Sequence, residues 1–244
     1  MGWPGYRWRD GADPGILLVC DHASAEVPEG LDLGVAAEVF LDHVAVDVGA
    51  GPLTEALAAR MGVAAHLGRW SRLVVDCNRP ETSPSLVVET SDGVHIPGNI
   101  GLSDQQFEVR LAIHRDFHAA LSRRIAARRP GLLVSVHSFT PRLATNPVPR
   151  PWPVAILWNR DERGAALAIE ALRADPRVPG PVGANEPYSG RILNYSMDRH
   201  AEANGIPYVG FEVRQDLITD AEGQARWATI LADCLDRVRQ GLAA

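Results

Sequence analysis

The stretch Leu132–Pro141, with the sequence LLVSVHSFTP, decides the fold prediction. Its first five residues are mostly aliphatic, too few for a helix, and lie between Pro130-Gly131 and Thr140-Pro141. They therefore predict a short strand. A near-continuous apolar run is typical of a strand buried on both faces at the centre of a parallel sheet. His137 follows at the carboxyl end of this strand, where open α/β sheets place their ligand sites.

Three more short apolar segments have the same layout, because each is followed by a residue that could bind a metal, bind a substrate or transfer a proton. They are Ile16–Cys20 before Asp21-His22, Leu73–Val75 (in a strand predicted over Arg72–Val75) before Asn78-Arg79, and Tyr208–Phe211 before Glu212. Because the carboxyl ends of parallel strands meet at one edge of a sheet, these polar groups are expected to lie together. This recurrence favours an active site more strongly than any single motif does.

The segments between the strands predict helices, so the chain is expected to be an α/β protein with one sheet covered on both faces. The predicted helices are Val35–Val44, Gly49–Met61, 104–128, Asp161–Arg173, Met197–Asn204 and the segment from Thr219 to about Gln240. Capping boxes at Ser103-x-x-Gln106 and Thr219-x-x-Glu222 open two of them. Residues 1–15 are expected to form an N-terminal arm, and residues 80–102 and 175–190 long loops.

The composition is that of a soluble globular protein, and 244 residues fit one domain. The net charge of −6 and the lack of a basic cluster beyond two arginine pairs on a predicted helix argue against nucleic acid. No run approaches the ~18 apolar residues of a membrane span. The odd number of cysteines and the absence of a signal-like N-terminus predict the cytoplasm.

His22 and His137 are the first candidates for metal ligands. Each follows a predicted buried strand, so both imidazoles are expected at the same edge of the sheet. Catalytic zinc usually has three protein ligands, and imidazole is one of the most frequent. The alternative is a pair of hydrogen-bonded structural histidines, but two in the same context favour the metal.

The third ligand is left open by the sequence. Glu26 lies four residues after His22, but in a loop that ends at Pro28 this spacing has no helical meaning. His43 and Asp47 are also four residues apart and would share a face if the predicted helix continued through them. We predict Asp47 as the ligand and His43 as a support or a substrate contact. The alternatives are His43 as the ligand and Asp47 as a helix cap.

Residues after two other strands predict the substrate-binding and catalytic groups. Arg79, beside Asn78, offers a bidentate fork for a substrate carboxylate, with a structural salt bridge as the alternative. Glu212 lies in a buried strand, where an unpaired carboxylate is costly, so we predict it as the general base and acid. Arg214 shares its strand face and is predicted to orient Glu212 or to bind a second carboxylate. Asp216 is a turn residue or the partner of Arg214.

Two other groups point to different chemistry. His114 and His118 form a His-x-x-x-His pair on the inward face of a predicted helix, but the pair lacks the Glu of a zincin motif. They are predicted as core histidines, with His118 as an alternative support behind a ligand. Cys20, two residues before His22, could act as a thiol nucleophile with that base only if the strand extended through His22.

Five short motifs, taken in order, resemble the N-formylglutamate amidohydrolase family. They are Asp21-His22-Ala23-Ser24, His43 with Asp47-Val48-Gly49-Ala50, Val75–Pro80, Val136–Pro141 and Glu212–Ile218, with Asn185–Ser189 and Asp198-Arg199-His200 as further matching positions. The resemblance covers about residues 15–220. Each motif is short, but their combination and order are specific.

The family is similar to zinc carboxypeptidases and aspartoacylases. The resemblance therefore implies a single-domain α/β fold with a mixed, largely parallel β-sheet sandwiched by helices, as in the zinc-carboxypeptidase and phosphorylase/hydrolase-like proteins. It also implies zinc at His22 and His137, an Asn78-Arg79 pair for a carboxylate, and Glu212 as the general base. One position departs from those relatives, which take a Glu three residues after the first His as a ligand. Here that position is Ala25, so the third ligand must come from elsewhere.

The resulting hypothesis is a zinc-dependent hydrolase that cleaves the amide of an N-acyl amino acid, first of all N-formyl-L-glutamate to formate and glutamate. Zinc would polarise the acyl carbonyl, and Glu212 would move the proton from water to the leaving amine. The expected substrate contacts are Asn78, Arg79, Arg214, His43 and Ser138. The alternatives are a non-catalytic carboxylate-binding module that uses Arg79 and Arg214, a deacylase or carboxypeptidase with another substrate, and a hydrolase that uses Cys20.

Overall fold

The computed structural model describes residues 3–244, which fold around a seven-stranded sheet with a separate two-stranded hairpin. The strands are β1 Tyr6–Arg9, β2 Asp13–Cys20, β3 Val63–Gly68, β4 Thr90–Ser91, β5 Val94–His95, β6 Leu132–Phe139, β7 Val154–Leu157, β8 Val182–Ala184 and β9 Tyr208–Arg214. The α-helices are α1 Ala50–Met61, α2 Asp104–Arg128, α3 Arg163–Arg173, α4 Tyr195–His200 and α5 Ala221–Ala243. Shorter 3-10 segments lie between them.

The large sheet has the order β1-β3-β2-β6-β9-β7-β8. Strands β3, β2, β6 and β9 are parallel to one another, whereas β1 and β7 are antiparallel to β3 and β9, respectively. The predicted single α/β domain with a mixed, largely parallel sheet is therefore confirmed. Strand β6, formed by the stretch that decided the prediction, is the central strand, and all eight of its residues are buried.

Both faces of the sheet are covered by helices, which explains the apolar run of β6. Leu132, Val134 and Val136 contribute to the core under α1, α3 and α5, whereas Leu133 contributes to the core under α2 and α4. His137 continues the Leu133 series along the strand, because side chains alternate between the two faces. None of the helices in the described part of the chain combines the length and the apolar composition that crossing a bilayer requires.

Two expectations for the first 50 residues are wrong. The arm predicted for residues 1–15 contains β1, which pairs with β3 at the sheet edge, and the first residues of β2; residues 1 and 2 lie outside the described residues. Tyr6 and Trp8 on β1 pack against the core, a period-two pattern that the surrounding Gly and Pro obscured. The predicted helix Val35–Val44 is a single 3-10 segment, Ala37–Leu41, so no helix continues to His43.

The strand predicted over Arg72–Val75 is instead a buried turn. The amide of Val74 donates to the carbonyl of Ser71 at 2.9 Å, which is a turn geometry. Side chains bind the carbonyls that a neighbouring strand would otherwise bind. Arg110 donates to Val74 at 3.0 Å, and Asn99 donates to Leu73 at 2.9 Å. This apolar segment can therefore be buried without forming a strand, because side chains distant in sequence bind its backbone carbonyls.

The long loops and the caps differ from the prediction in detail. Residues 80–102 contain the β4–β5 hairpin and residues 175–190 contain β8. The capping box of α2 is present as predicted, with Ser103 and Gln106 bonding each other's backbone amides. At α5 the cap is Asp220 rather than Thr219, and its carboxylate accepts from the amide of Gly223.

Candidate metal centre and substrate cavity

A cavity of about 250 Å³ opens beyond the carboxyl ends of the parallel strands. Most of the residues that the sequence predicted for the site line it: His22, His43, Asp47, Asn78, Arg79, His137, Ser138 and Glu212. Arg214 does not line it. The residues come from five separate segments of the chain, and the sheet edge brings them together, as expected for an open α/β fold.

Three buried side chains converge on one point of the cavity. Nδ1 of His137 lies 2.7 Å from Oδ2 of Asp47, and Nδ1 of His22 lies 3.3 Å from the same oxygen. One ligand atom from each of the three residues lies within 4.8 Å of the other two. Two imidazole nitrogens and a carboxylate oxygen form a donor set that catalytic zinc accepts.

A second carboxylate stands behind each imidazole. Nε2 of His22 lies 2.7 Å from Oδ1 of Asp76, and Nε2 of His137 lies 3.2 Å from Oδ2 of Asp21. A carboxylate at the far nitrogen fixes ring orientation and tautomer, and it leaves Nδ1 free to bind a metal. Each histidine is thus a candidate metal ligand whose ring is oriented by a carboxylate.

The loop before α1 aims Asp47 at the two histidines. The Asp47 amide donates to the carbonyl of His22 at 3.2 Å, and the Asp47 carbonyl accepts from Ala50 at 2.9 Å. Gly49 between them has φ of 78°, and a Cβ there would lie 2.2 Å from the carbonyl oxygen of Ile218. Only glycine meets both conditions without strain, so Gly49 brings this loop against the chain that follows β9.

The buried charges of this cluster stabilise one another. Burial alone would lower the pKa of an imidazole, but the flanking carboxylates outweigh it, so the pKa of His22 and that of His137 are raised. Burial likewise opposes ionisation of Asp21, yet His137, whose Nε2 lies 3.2 Å from Oδ2 of Asp21, lowers the pKa of Asp21 to about 2. The pKa of Asp47 is also lowered, against burial, by both histidines. Carboxylates that stabilise a protonated imidazole here would also stabilise a metal cation, and metal binding would displace the proton from the imidazole.

Glu212 lies beside this cluster on the neighbouring strand. It is the register partner of His137 in the parallel pair β6–β9, and its side chain lines the cavity although the residue is only 8% exposed. Its Oε2 is buried and has no hydrogen-bond partner in residues 3–244. Burial raises the pKa of Glu212 to about 7, with the charge of His137 acting in the opposite direction. A carboxyl group of this pKa exchanges protons near neutral pH, which general acid–base catalysis requires.

Asn78 and Arg79 line the other side of the cavity. Oδ1 of Asn78 accepts from the amide of Ser196 at 3.0 Å, which leaves the amide nitrogen of Asn78 to donate elsewhere. Nη1 of Arg79 donates to the Asn78 carbonyl at 2.9 Å, and within residues 3–244 the guanidinium forms no salt bridge. The structural ion pair considered for Arg79 is therefore not formed, since Asp76 pairs with His22 and Arg72.

Comparison with known proteins adds the family to this geometry. The family model for N-formylglutamate amidohydrolase matches residues 15–219. The chain belongs to the N-formylglutamate amidohydrolase family. This confirms the family predicted from the motifs, and it makes the chain a hydrolase of a family that acts on a small-molecule substrate.

Two solved structures are similar to this family member over nearly the whole chain. A gene product of Agrobacterium tumefaciens is 30% identical, with a TM-score of 0.90, and the match covers 99% of this chain and 97% of the other. The N-formylglutamate amidohydrolase from Ralstonia eutropha JMP134 is 18% identical, with a TM-score of 0.75, and the match covers 98% and 100%. At that identity the second likeness shows the fold alone. No curated protein sequence matches the chain.

Three further charged residues of this amidohydrolase complete the cluster, and sequence reasoning gave them no role in the site. Asp21 and Asp76 support the two histidines, and Arg72 donates to Asp47 at 3.2 Å and to Asp76 at 2.7 Å. The two aspartates could have been found from their position in the sequence, because Asp21 directly precedes His22 and Asp76 lies just before the Asn78-Arg79 pair. Adjacent residues of a strand point to opposite faces, but these residues lie outside the strands, where that rule does not apply.

Not every predicted contact is available to a substrate. His43 lines the cavity, but its Nδ1 faces Asp42 and its Nε2 lies 3.1 Å from Asp92. The Ser138 hydroxyl donates to the carbonyl of Val48 at 2.8 Å.

Arg214 pairs with Asp216 at 2.7 Å, so its predicted role in the cavity is wrong and its alternative partner is the observed one. Without Arg214, a carboxylate-binding module loses one of its two proposed arginines.

The cysteine chemistry considered as an alternative has no support in this geometry. Cys20 is fully buried and does not line the cavity. Burial raises the pKa of its thiol well above the usual range, with the charge of Asp47 acting in the same direction. A reactive cysteine needs exposure and a lowered pKa, and Cys20 has neither.

His114 and His118 support the loop that carries Asn78 and Arg79. His114 Nε2 lies 2.9 Å from the carbonyl of Arg79, and His118 Nε2 lies 2.8 Å from that of Cys77. On its other side, His118 Nδ1 lies 2.9 Å from Nε2 of His200. Burial lowers the pKa of all three histidines, so they are neutral donors rather than cations. The His-x-x-x-His pair therefore belongs to the core, and it holds the backbone of the loop that carries Asn78 and Arg79.

We expect His114→Leu to weaken substrate binding more than turnover. The substitution leaves the Arg79 carbonyl without its hydrogen-bond donor, at a cost of about 1–3 kcal/mol in stability. The backbone that holds the Arg79 guanidinium in place is then less fixed. KM should rise about tenfold with kcat within about twofold of wild type. His114→Gln, which retains an N–H donor, should recover much of the loss. A fall in kcat at unchanged KM would show that His114 acts on the chemical step instead.

Proposed function

We propose that this protein is a metal-dependent amidohydrolase, with zinc as the preferred ion, that cleaves the amide bond of an N-acyl amino acid. The observation that carries the proposal is the cavity itself. It brings together three metal-type donors, an adjacent buried carboxyl group with a raised pKa, and an arginine that forms no salt bridge within residues 3–244. The sequence-based expectation for the substrate is an N-formyl amino acid, with N-formyl-L-glutamate first.

The residues present fit a zinc ion. His22, Asp47 and His137 would hold it, since their donor atoms already converge and Asp76 and Asp21 orient the rings. Three nitrogen and oxygen ligands are typical of a catalytic rather than a structural zinc site. When bound there, zinc supplies Lewis acidity for the acyl carbonyl and for water.

Glu212 is the proposed proton carrier. Its ionised form accepts a proton from the attacking water, and its protonated form delivers the proton to the nitrogen of the departing amine. The unpartnered Oε2 has no competing protein donor within residues 3–244, so it is available to water or substrate in the cavity. Burial raises the pKa of Glu212, and a buried carboxyl group beside the metal donors can perform both transfers.

Arg79 is the proposed anchor for the free carboxylate of the substrate. A guanidinium can donate two parallel hydrogen bonds to a carboxylate, and the side-chain amide nitrogen of Asn78 can supply a third. Fixing the carboxylate at one end of the substrate places the acyl group near Glu212 and the metal donors, because all of these groups line one cavity.

Metal removal tests this function. We expect zinc-loaded protein to release formate from N-formyl amino acids, as measured by a coupled formate assay. Dialysis against a chelator should lower the rate by at least about 10²-fold, and added zinc should restore it. Magnesium is the matched control and should not restore activity, since it disfavours imidazole ligands. Undiminished activity after complete metal removal would exclude a metal-dependent reaction.

A further inference from the structure

The cavity offers one arginine that no carboxylate already holds. Arg72 and Arg79 are the two arginines among its described lining residues. Arg72 is committed, since it pairs with Asp47 and with Asp76. Arg79 alone has its guanidinium available. One guanidinium binds one carboxylate through paired hydrogen bonds, so the cavity has a ready cationic site for a single substrate carboxylate.

Two arginines near the cavity, Arg150 and Arg214, are already engaged by other groups. Arg150 is screened by Tyr188, whose ring lies 4.8 Å from the guanidinium and whose hydroxyl accepts from it at 2.8 Å. Arg214 is paired with Asp216. Neither arginine lines the cavity. Among the described lining residues, a second carboxylate on the substrate would therefore find no further cation, and the loss of its hydration would be costly.

The wall around His43 is acidic rather than basic. Asp92 lines the cavity and lies 3.1 Å from Nε2 of His43, while Asp42 takes the other ring nitrogen. Asp92 also accepts from the backbone amides of Ala144 and Thr145, at 2.7 and 2.9 Å, which fixes it in place. A second anionic group of the substrate would meet like charge on this wall.

The remaining lining consists of three hydroxyl side chains, those of Ser91, Thr140 and Thr145, and an apolar wall that carries no cation. Phe139, Leu143 and Leu193 line it, together with the ring of Tyr188. Sites that bind the uncharged parts of ligands are typically lined by hydrophobic side chains with a few polar groups.

We infer that the cavity selects N-acyl amino acids whose side chain is neutral over those whose side chain is acidic. N-formyl-L-glutamate, the sequence-based expectation, would bring a second carboxylate for which no free cation lines the described cavity. The inference rests on the proposed function, because both place the substrate α-carboxylate on Arg79. It makes the apolar wall formed by Phe139, Leu143 and Leu193 the specificity-determining surface.

The test compares two compounds of nearly equal size that differ in one charge. With zinc-loaded protein, kcat/KM for N-formyl-L-glutamine should exceed that for N-formyl-L-glutamate by at least about tenfold. Equal values, or a preference for the glutamate compound, would overturn the inference.

A pair of neighbouring substitutions locates the effect. Leu193→Lys places a cation on the apolar wall at a half-buried position and should reduce the preference for glutamine about tenfold. Ile192→Lys adds the same charge at a residue that is 81% exposed and does not line the cavity, and it should leave the preference unchanged. If Leu193→Lys left the ratio at its wild-type value, or Ile192→Lys shifted it equally, the apolar wall would not be the selecting surface.

Binding separates failure of this inference from failure of the reaction. Calorimetry on zinc-loaded protein with N-acetyl-L-glutamine and N-acetyl-L-glutamate should give the same order of affinity as the turnover ratio. Tighter binding of the glutamine compound without any turnover would refute the reaction and uphold the charge preference. Tighter binding of the glutamate compound, or binding of neither, would refute the preference.

Discussion

Replacing Glu212 by Gln should lower kcat by about 10³-fold while the fold and the metal content stay as in wild type. Glutamine has nearly the same shape but cannot carry the proton between water and the leaving amine. Because Glu212 is buried and its Oε2 has no hydrogen-bond partner in residues 3–244, the amide replaces it without breaking an ion pair. Formate release, zinc content and thermal unfolding of the two proteins would be measured side by side.

The pH profile gives this prediction a second readout. Burial raises the pKa of Glu212 to about 7 in the metal-free protein, and a cation beside it would lower that pKa. Activity requires the ionised carboxylate, so it is lost as pH falls through this pKa, and the acid limb should lie below about pH 7. Residual activity of Glu212→Gln should lack that limb.

Glu26→Gln is the matched control. Glu26 is exposed, lies four residues after His22, and does not line the cavity. Its variant should retain wild-type turnover and pH profile. Wild-type turnover in Glu212→Gln, with zinc bound, would contradict the assigned role of Glu212. Loss of zinc in that variant would place Glu212 among the metal ligands instead.

The sheet and the ends of its strands could be predicted because they depend on local pattern. A short apolar run such as that of β6 specifies a doubly buried strand, and topology then places the residue after it at the shared edge. His22, His137 and Glu212 were found in this way, and the structure brings all three to one cavity. Asn78 and Arg79 were found because they follow the apolar run Leu73–Val75, and the family motifs contain the same pair.

The parts that the sequence did not reveal depend on contacts between distant residues. The turn at Arg72–Val75 exists because Asn99 and Arg110, more than twenty residues away, bind its carbonyls. That turn, rather than a strand, lets Arg72 reach Asp47 and Asp76 together. No local pattern reports such a partner, because a strand and a buried turn of this length have the same apolar composition.

The structure places Asp47 beside the two histidines, but by a different route from the one that the sequence predicted. We expected it to share a helical face with His43, but the 3-10 segment ends at Leu41 and His43 faces Asp42 and Asp92. Asp47 reaches the histidines because its amide is bonded to the carbonyl of His22 and Gly49 turns the chain. Its role as a metal ligand stays a prediction.

Truncation of His137 to Ala should abolish zinc binding. The substitution removes one of three donors and leaves Asp21 and Asp47 buried with fewer partners. Losing a group that only supports a ligand lowers metal affinity about 10–100-fold, so losing a ligand itself should lower it further. His95→Ala is the control, since His95 is exposed on the β4–β5 hairpin and does not line the cavity. It should bind zinc as wild type does.

The central claim is that the three converging donors are a metal site, and metal content measures it most directly. Elemental mass spectrometry on untagged wild type, His137→Ala and His95→Ala, each supplied with zinc and then desalted, gives the stoichiometry. We predict about one zinc per chain in wild type and His95→Ala and none in His137→Ala. Wild type that binds no zinc when it is supplied, or His137→Ala that retains a full equivalent, would contradict the account.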